Sequence, residues 1–375
     1  MSPRQASESA KQILASPKHS AGGPLFPKLK YIGGVSGVRT VWAIPIWAPL
    51  LFQARLISAT IEFYDFKISQ EESTAFMVAL ISNCPNLRSL SITSHESAFH
   101  DPLLVARLPH LEVLRIDTHI TSGEVLKSIS RLRYLKSISM GSFSGDVVRF
   151  DDGYFPSLEE LQIIKESNET VDWMHTAKFY PPVLQKIQTN DLSPTGFATL
   201  VDYINEAQLA IKSLDSTFQP EFLYKNLEPL TTLVNLEHIH LYFSVLHIGD
   251  RQFETLIKHF PQLRSFEFRG TFPKLSFSAI FNIVRYCPKV SHIHIIPGTT
   301  KFPPIPRITE LLSVESRSLA FDFGESEVRK PAQMARWLNT CCARYPELYV
   351  KGGEEGSWKK VQELLNGLNR PIILE

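Results

Sequence analysis

The chain has 375 residues, with 39 lysines and arginines against 38 aspartates and glutamates, and its formal charge of +1 offers no general attraction to nucleic-acid backbones or anionic lipid. Its apolar content of 43 % can build a large core, while four cysteines are too few for a disulfide framework. A reducing, intracellular setting, cytoplasmic or nuclear, is expected, with neither nucleic acid nor membrane as a partner.

In chain order, Met1 to Ser20 is rich in Ser, Ala and Lys and lacks the apolar centre of a secretory signal, so residues 1–23 read as a disordered segment. Residues 24–68 read as an N-terminal cap with degenerate repeats, Leu25 to Ile32 being one copy and Leu56 to Phe63 another. Between them Val41 to Phe52 is apolar, but it is well short of the roughly 20 residues that span a bilayer and holds Pro45 and Pro49. Packing within the cap is the expectation.

From residue 69 to about 300 one phrase recurs. Cys84-Pro85-Asn86-Leu87-Arg88-Ser89-Leu90-Ser91-Ile92 sets the pattern, Leu-x-x-Leu-x-Leu after a proline or polar pair. Later copies are anchored on Leu111, Leu135, Leu158, Leu184, Ile211, Leu236, Leu263 and Val290, at intervals of 23 to 27 residues. That period falls in the leucine-rich-repeat range. Within each copy the alternation predicts a strand with one buried face.

Between strands, Ser69 and Glu72 have capping-box spacing, and Met77, Leu80, Ile81 and Cys84 make one helical stripe that Pro85 ends. Equivalent stripes are Phe197/Leu200/Val201/Ile204, Phe253/Leu256/Ile257/Phe260 and Ile280/Ile283/Val284/Cys287. The stretches Asp101–Leu108 and Met140–Phe155 lack such a stripe and are expected to form turns. Residues 301–375 read as irregular C-terminal repeats and a cap: a proline-dense crossing at Lys301–Pro306, a strand at Leu319–Phe323, a helix from Pro331 to Ala343, and short strands around Leu348/Val350 and Ile372/Leu374. The predicted fold is an α/β leucine-rich-repeat solenoid, a horseshoe or arc with a parallel sheet on the concave face and helices or turns on the convex one.

Catalytic motifs are absent: the chain has no Gly-x-Ser-x-Gly elbow, phosphate loop, His-Glu-x-x-His helix or Cys-x-x-Cys pair. No enzyme activity and no cofactor are expected. Cys84 and Cys287 hold the same place in their repeats, and Cys341 and Cys342 lie on an apolar stripe, so all four read as core residues. Asn168-Glu169-Thr170 matches a glycosylation sequon without a secretory signal to support it.

Aligning the repeats places the third and fifth letters of each copy on the open face of the sheet. His240, Glu267 and His294 then form one row across three strands, with His238, Ser265 and His292 beside it. Such a patch is compatible with a solvated polar ladder, a divalent metal site, or a pH-sensitive surface for an acidic peptide. Elsewhere on this face Ser89, Ser91, Val113, Arg115, Ser137, Ser139, Glu160, Gln162, Lys186, Gln188, Ser213 and Asp215 are mixed in character, which suits a protein ligand. The candidate ligand-binding residues are Arg115, Lys186, His238, His240, Glu267, His292 and His294; no catalytic or resident metal site is assigned.

The copies Cys-Pro-Asn-Leu-Arg-Ser-Leu-Ser-Ile, Leu-Pro-His-Leu-Glu-Val-Leu-Arg-Ile and Phe-Pro-Ser-Leu-Glu-Glu-Leu-Gln-Ile resemble the irregular repeats of fungal F-box proteins over about residues 25–350. The resemblance implies a non-catalytic protein-interaction module that holds a substrate for a cullin-based ubiquitin ligase. In that family an N-terminal F-box docks on the ligase adaptor. Fewer than 25 polar residues precede the first repeat here, and no F-box is recognisable among them. A metal-binding protein or metal-dependent enzyme using the histidine patch is the alternative.

Overall fold

The computed structural model describes residues 30–35, 54–63, 70–94, 102–120, 123–143, 150, 153–165, 167–220, 222–298, 318–323, 328, 330–343, 345, 347–351 and 357–367. Two compact units divide the chain, Met1–Leu184 and Gln185–Glu375.

Most repeats are set up by the same turn. In Cys84-Pro85-Asn86-Leu87 the Leu87 amide donates to the Cys84 carbonyl at 3.1 Å, and the same bond links Leu111 to Leu108, Leu135 to Leu132, Leu158 to Phe155, Leu236 to Leu233, Leu263 to Phe260 and Val290 to Cys287. Proline at the second position of such a turn presets its φ, which explains the recurring proline before the anchor leucine. The next two amides lock onto the preceding repeat. Glu112 and Val113 both donate to the Arg88 carbonyl, as Glu237 and His238 do to Lys212, and Arg264 and Ser265 to Glu237. Register thus passes from repeat to repeat through the main chain before any side chain is considered.

In the first unit these turns launch β1 (Tyr31–Val35), β2 (Ser58–Phe63), β3 (Ser89–Ser94), β4 (Val113–Ile120), β5 (Ser137–Phe143) and β6 (Glu160–Ile163). Each pairs in parallel with the next in chain order. The second unit repeats the plan with β7 (Lys186–Leu192), β8 (Ser213–Phe218), β9 (His238–Val245), β10 (Ser265–Phe272), β11 (His292–Pro297), β12 (Ser318–Asp322) and β13 (Glu347–Lys351). Its pairings are also parallel and sequential. The fold is an open α/β leucine-rich-repeat solenoid.

Inward positions fill the core. Leu90, Leu114, Leu161, Ile239 and Ile293 have at most 1 % of their surface accessible. Helices cover this side: α1 (Gln70–Asn83), α2 (Gly123–Ile129) and α3 (Ser167–Ala177) in the first unit, and α4 (Pro194–Glu206), α5 (Asp250–Ile257), α6 (Ser278–Tyr286), α7 (Pro331–Cys341) and α8 (Ser357–Gly367) in the second. The stripe residues of α4, α5 and α6 named from the sequence are all buried, whereas on α1 Ile81 stays partly accessible. A phenylalanine column runs through the second unit, with Phe218 stacked on Phe243 at 4.7 Å and Phe243 against Phe268 at 5.5 Å. Near the end of the described residues Trp358 of α8 stacks on Phe323 at 4.3 Å.

Several local expectations change. Pro102–Arg107 is a 3-10 helix rather than a plain turn, a tighter coil that fits a connection too short for α geometry. Tyr224–Thr232 is a second one, with Pro229 inside it. The sequon falls in the first turn of α3, where Thr170 is buried and its hydroxyl accepts the Phe143 amide at 2.9 Å, a packing role. Residues 1–23, Val41–Phe52, the Ser69–Glu72 side-chain cap, Lys301–Pro306 and Ile372/Leu374 lie outside the described residues.

Candidate functional site on the open face of the sheet

The strands of the second unit align the outward side chains in straight rows. Ser265 of β10 pairs with His238 on one side and His292 on the other, and Glu267 pairs with His240 and His294. Register continues past the three strands read from the sequence. Asp215 of β8 pairs with His240, His294 with Asp322 of β12, and Asp322 with Lys351 of β13. The charged part of the row reads Asp215, His240, Glu267, His294, Asp322, Lys351, continued past Asp215 by Gln188 of β7, with every imidazole between two carboxylates.

Contacts within the row are specific. His240 Nε2 shares a 3.1 Å hydrogen bond with Ser265 Oγ, its direction following the imidazole tautomer. His294 Nδ1 stands 3.3 Å from Asp322 Oδ2, and Lys351 Nζ reaches the same oxygen at 4.0 Å. Glu267 Oε1 is ion-paired with Arg269 Nε and accepts a long 3.5 Å hydrogen bond from the Tyr242 hydroxyl. The Arg269 guanidinium lies 5.3 Å over the Tyr242 ring. Just beyond it the strand bulges at Gly270, whose φ of +136° and close approach to the Phe243 carbonyl leave no room for a Cβ.

Burial sets the character of this patch. Glu267 is not a solvated carboxylate: only 8 % of the residue is accessible, and His294 retains 7 %. Both sit on the open face as the alternation requires, but imidazoles flank Glu267 within its row while Tyr242 and Arg269 reach over it from the next. His238 and His292 are governed by burial as well. Loss of hydration is the largest influence on each and pushes its pKa down, outweighing Glu237 at His238 and the pair Glu267 and Asp322 at His292. Asp215 is shifted upward, first by burial and secondarily by Glu267, against the opposing charges of His240, Lys186 and Arg269.

Among the described residues no group of three or more His, Cys, Asp or Glu side chains is arranged to hold an ion. Donors in the row are turned toward private partners, Ser265, Arg269 and Asp322, instead of converging at bonding distance on one point. The four cysteines are buried and form no disulfide among the described residues, and burial drives the Cys287 and Cys341 thiols upward, away from nucleophilic thiolate.

Of the sequence candidates, the structure groups His238, His240, Glu267, His292 and His294. Lys186 opens β7 in the same unit, opposite Ser213, while Arg115 stands in the first unit on β4 between Ser91 and Ser139. Sequence reasoning missed Asp322, Lys351, Tyr242 and Arg269 as members of the patch. Alternation in Leu319-Ala320-Phe321-Asp322 carried the signal for Asp322, but the proline-dense crossing before it hid the register.

No known family model matches the chain, and no curated protein does. A chain of the solved complex of Rad7 and Elc1 in yeast is similar at 13 % identity, with 94 % of this chain and 91 % of that one covered and a TM-score of 0.45. Among the described residues no helix is long and apolar enough to cross a membrane.

Proposed function

We propose that this protein is a non-catalytic interaction module that holds a protein partner on the open face of its parallel sheet. The observation that carries this reading is the contrast between the two sides of each strand. Inward residues are sealed by helices, while outward ones present rows of half-buried polar groups in continuous register, Asp215 to Lys351 being the longest charged example. Recognition there would come from many modest contacts with a few anchors. Aromatic and cationic groups such as Tyr242 and Arg269 are the anchor types.

Resemblance of the repeats to those of F-box proteins extends the reading to substrate capture for a cullin-based ubiquitin ligase. The test separates the two levels. Proteins cross-linked to the chain are compared between the wild type, open-face variants (Lys186→Glu, His240→Ala, Tyr242→Ala) and helix-side variants (Arg251→Glu, Arg336→Glu). Loss of a partner only in the open-face set is the expected result; partners lost only in the helix-side set would overturn the reading. Recovery of a ligase adaptor with the chain would support the receptor role, and an open-face partner without an adaptor would confine the protein to capture.

A further inference from the structure

Charge on the open face is balanced differently in the first unit. In the second, Arg269 is ion-paired with Glu267 and Lys351 faces Asp322. In the first, β2 to β6 align Thr60, Ser91, Arg115, Ser139 and Gln162 in one row, and four of these five side chains are neutral hydrogen-bond donors. Arg115 is exposed and has no ion-pair partner among the described residues. The nearest carboxylate farther along β4, Asp117, is engaged by Lys165 at 3.3 Å. The row therefore offers one positive charge among groups able to donate, with no carboxylate in it.

A second, independent observation lies beside the guanidinium. Ser139, paired with Arg115 in the ladder and set on the outward side between inward Ile138 and Met140, is only 6 % accessible. Its Oγ has no hydrogen-bond partner among the described residues. A buried hydroxyl in that condition is unfavourable and normally finds a partner, so this one is available to a ligand group that accepts. Neighbouring strands are about 4.8 Å apart, so Ser91 and Ser139 flank Arg115 at roughly twice that distance from each other, a span that the two oxygens of one carboxylate with a hydrogen bond at each end can bridge when both serine side chains lean toward Arg115.

We propose that this row is a carboxylate-binding site, in which Arg115 pairs with an aspartate or glutamate side chain of the partner protein while the Ser91 and Ser139 hydroxyls donate to the same group. The match is to a monoanion. One guanidinium neutralises one carboxylate, whereas a phosphate ester carries about −1.5 to −2 and would call for a second cation; Lys165 is already engaged by Asp117. This assignment rests on the open-face reading above and adds the chemistry of one anchor to it.

The experiment is selection of a random displayed peptide library on the immobilised full chain, repeated on Arg115→Gln, Ser139→Val and the helix-side control Arg251→Gln. Peptides from the wild-type chain should share an Asp or Glu at one fixed position. A synthetic peptide of that sequence should bind about ten-fold more weakly to Arg115→Gln, the factor carried by one charge-assisted hydrogen bond. Changing its acidic residue to the amide should cause the same loss, and combining both changes should cost no more than either. Arg115→Lys should restore part of the affinity, and thermal melts should show the exposed substitution leaves folding intact. Open-face peptides lacking an acidic position, an acidic position indifferent to Arg115, or tighter Arg115-dependent binding of a phosphoserine version would each overturn the carboxylate site while leaving the interaction reading in place. No peptides, or peptides whose binding survives every open-face substitution, would remove both.

Discussion

His238 and His292 carry the clearest consequence for ionisation, because burial lowers the pKa of each below the ordinary 6.5. An imidazole depressed in the folded state binds fewer protons there than in the unfolded chain, so stability is fully present above about pH 6.5 and is lost as pH falls below it. Thermal melts should therefore fall on acidification from pH 7.5 toward 5, and the paired change His238→Gln with His292→Gln should flatten that slope; an unchanged slope would mean that other groups set it. Asp215 behaves in the opposite sense. Its folded pKa is raised above 3.8, so its charged form is disfavoured at neutral pH, and Asp215→Asn should raise the denaturation midpoint at pH 7 but not at pH 3. The thiols give a separate check at this scale: reagent titration should find none of the four reactive in the native protein and all four after denaturation.

Strand and helix differ in how plainly the sequence declares them. Strands follow from a two-residue period pinned by the Pro-x-Leu turn, so even weak copies such as Ile211/Leu214 fall where the alternation puts them, in β8. Replacing Leu114 or Leu161 by Ala should cost about 2–5 kcal/mol in denaturant unfolding through lost burial and a cavity. Helices with long aliphatic stripes, α4 to α6, were equally plain. On α3, by contrast, the buried positions mix Ser167, Thr170 and Ala177 with Val171, Trp173 and Met174, which blurs the apolar stripe from which a period is read. Helix α2 is only seven residues long and opens on Gly123, which leaves too few turns for a pattern. The start of α4 combines Pro194 in its first turn with Ser193 Oγ accepting the Gly196 amide at 3.0 Å. Ser193→Ala should destabilise the protein by about 1 kcal/mol, and Ser193→Asp, which restores an acceptor, by less.

For the molecule as a whole, the solenoid assignment required only that one alternation recur, whereas the site required that neighbouring alternations be in phase. That phase was readable from Leu236, Leu263 and Val290 and placed the two histidine pairs on one face, but the burial of Glu267 depends on Tyr242 and Arg269, which lie beyond the repeating phrase. The Asp215-to-Lys351 row has a further consequence for how such a chain can change. A stack of similar units is open to gain or loss of one copy, since Ile239, Phe266 and Ile293 could each adjoin either neighbour in the core. The outward row is less permissive: excising residues 265–291 would join Arg264 to His292 in phase and set His240 directly beside His294 with no carboxylate between them. Such a chain should have a lower denaturation midpoint than the parent, because His240 and His294 would each have lost the Glu267 side chain that stands between them. The alternation of acid and base thus ties each copy to its place in the order, and makes individually replaceable units into a sequence that resists shuffling.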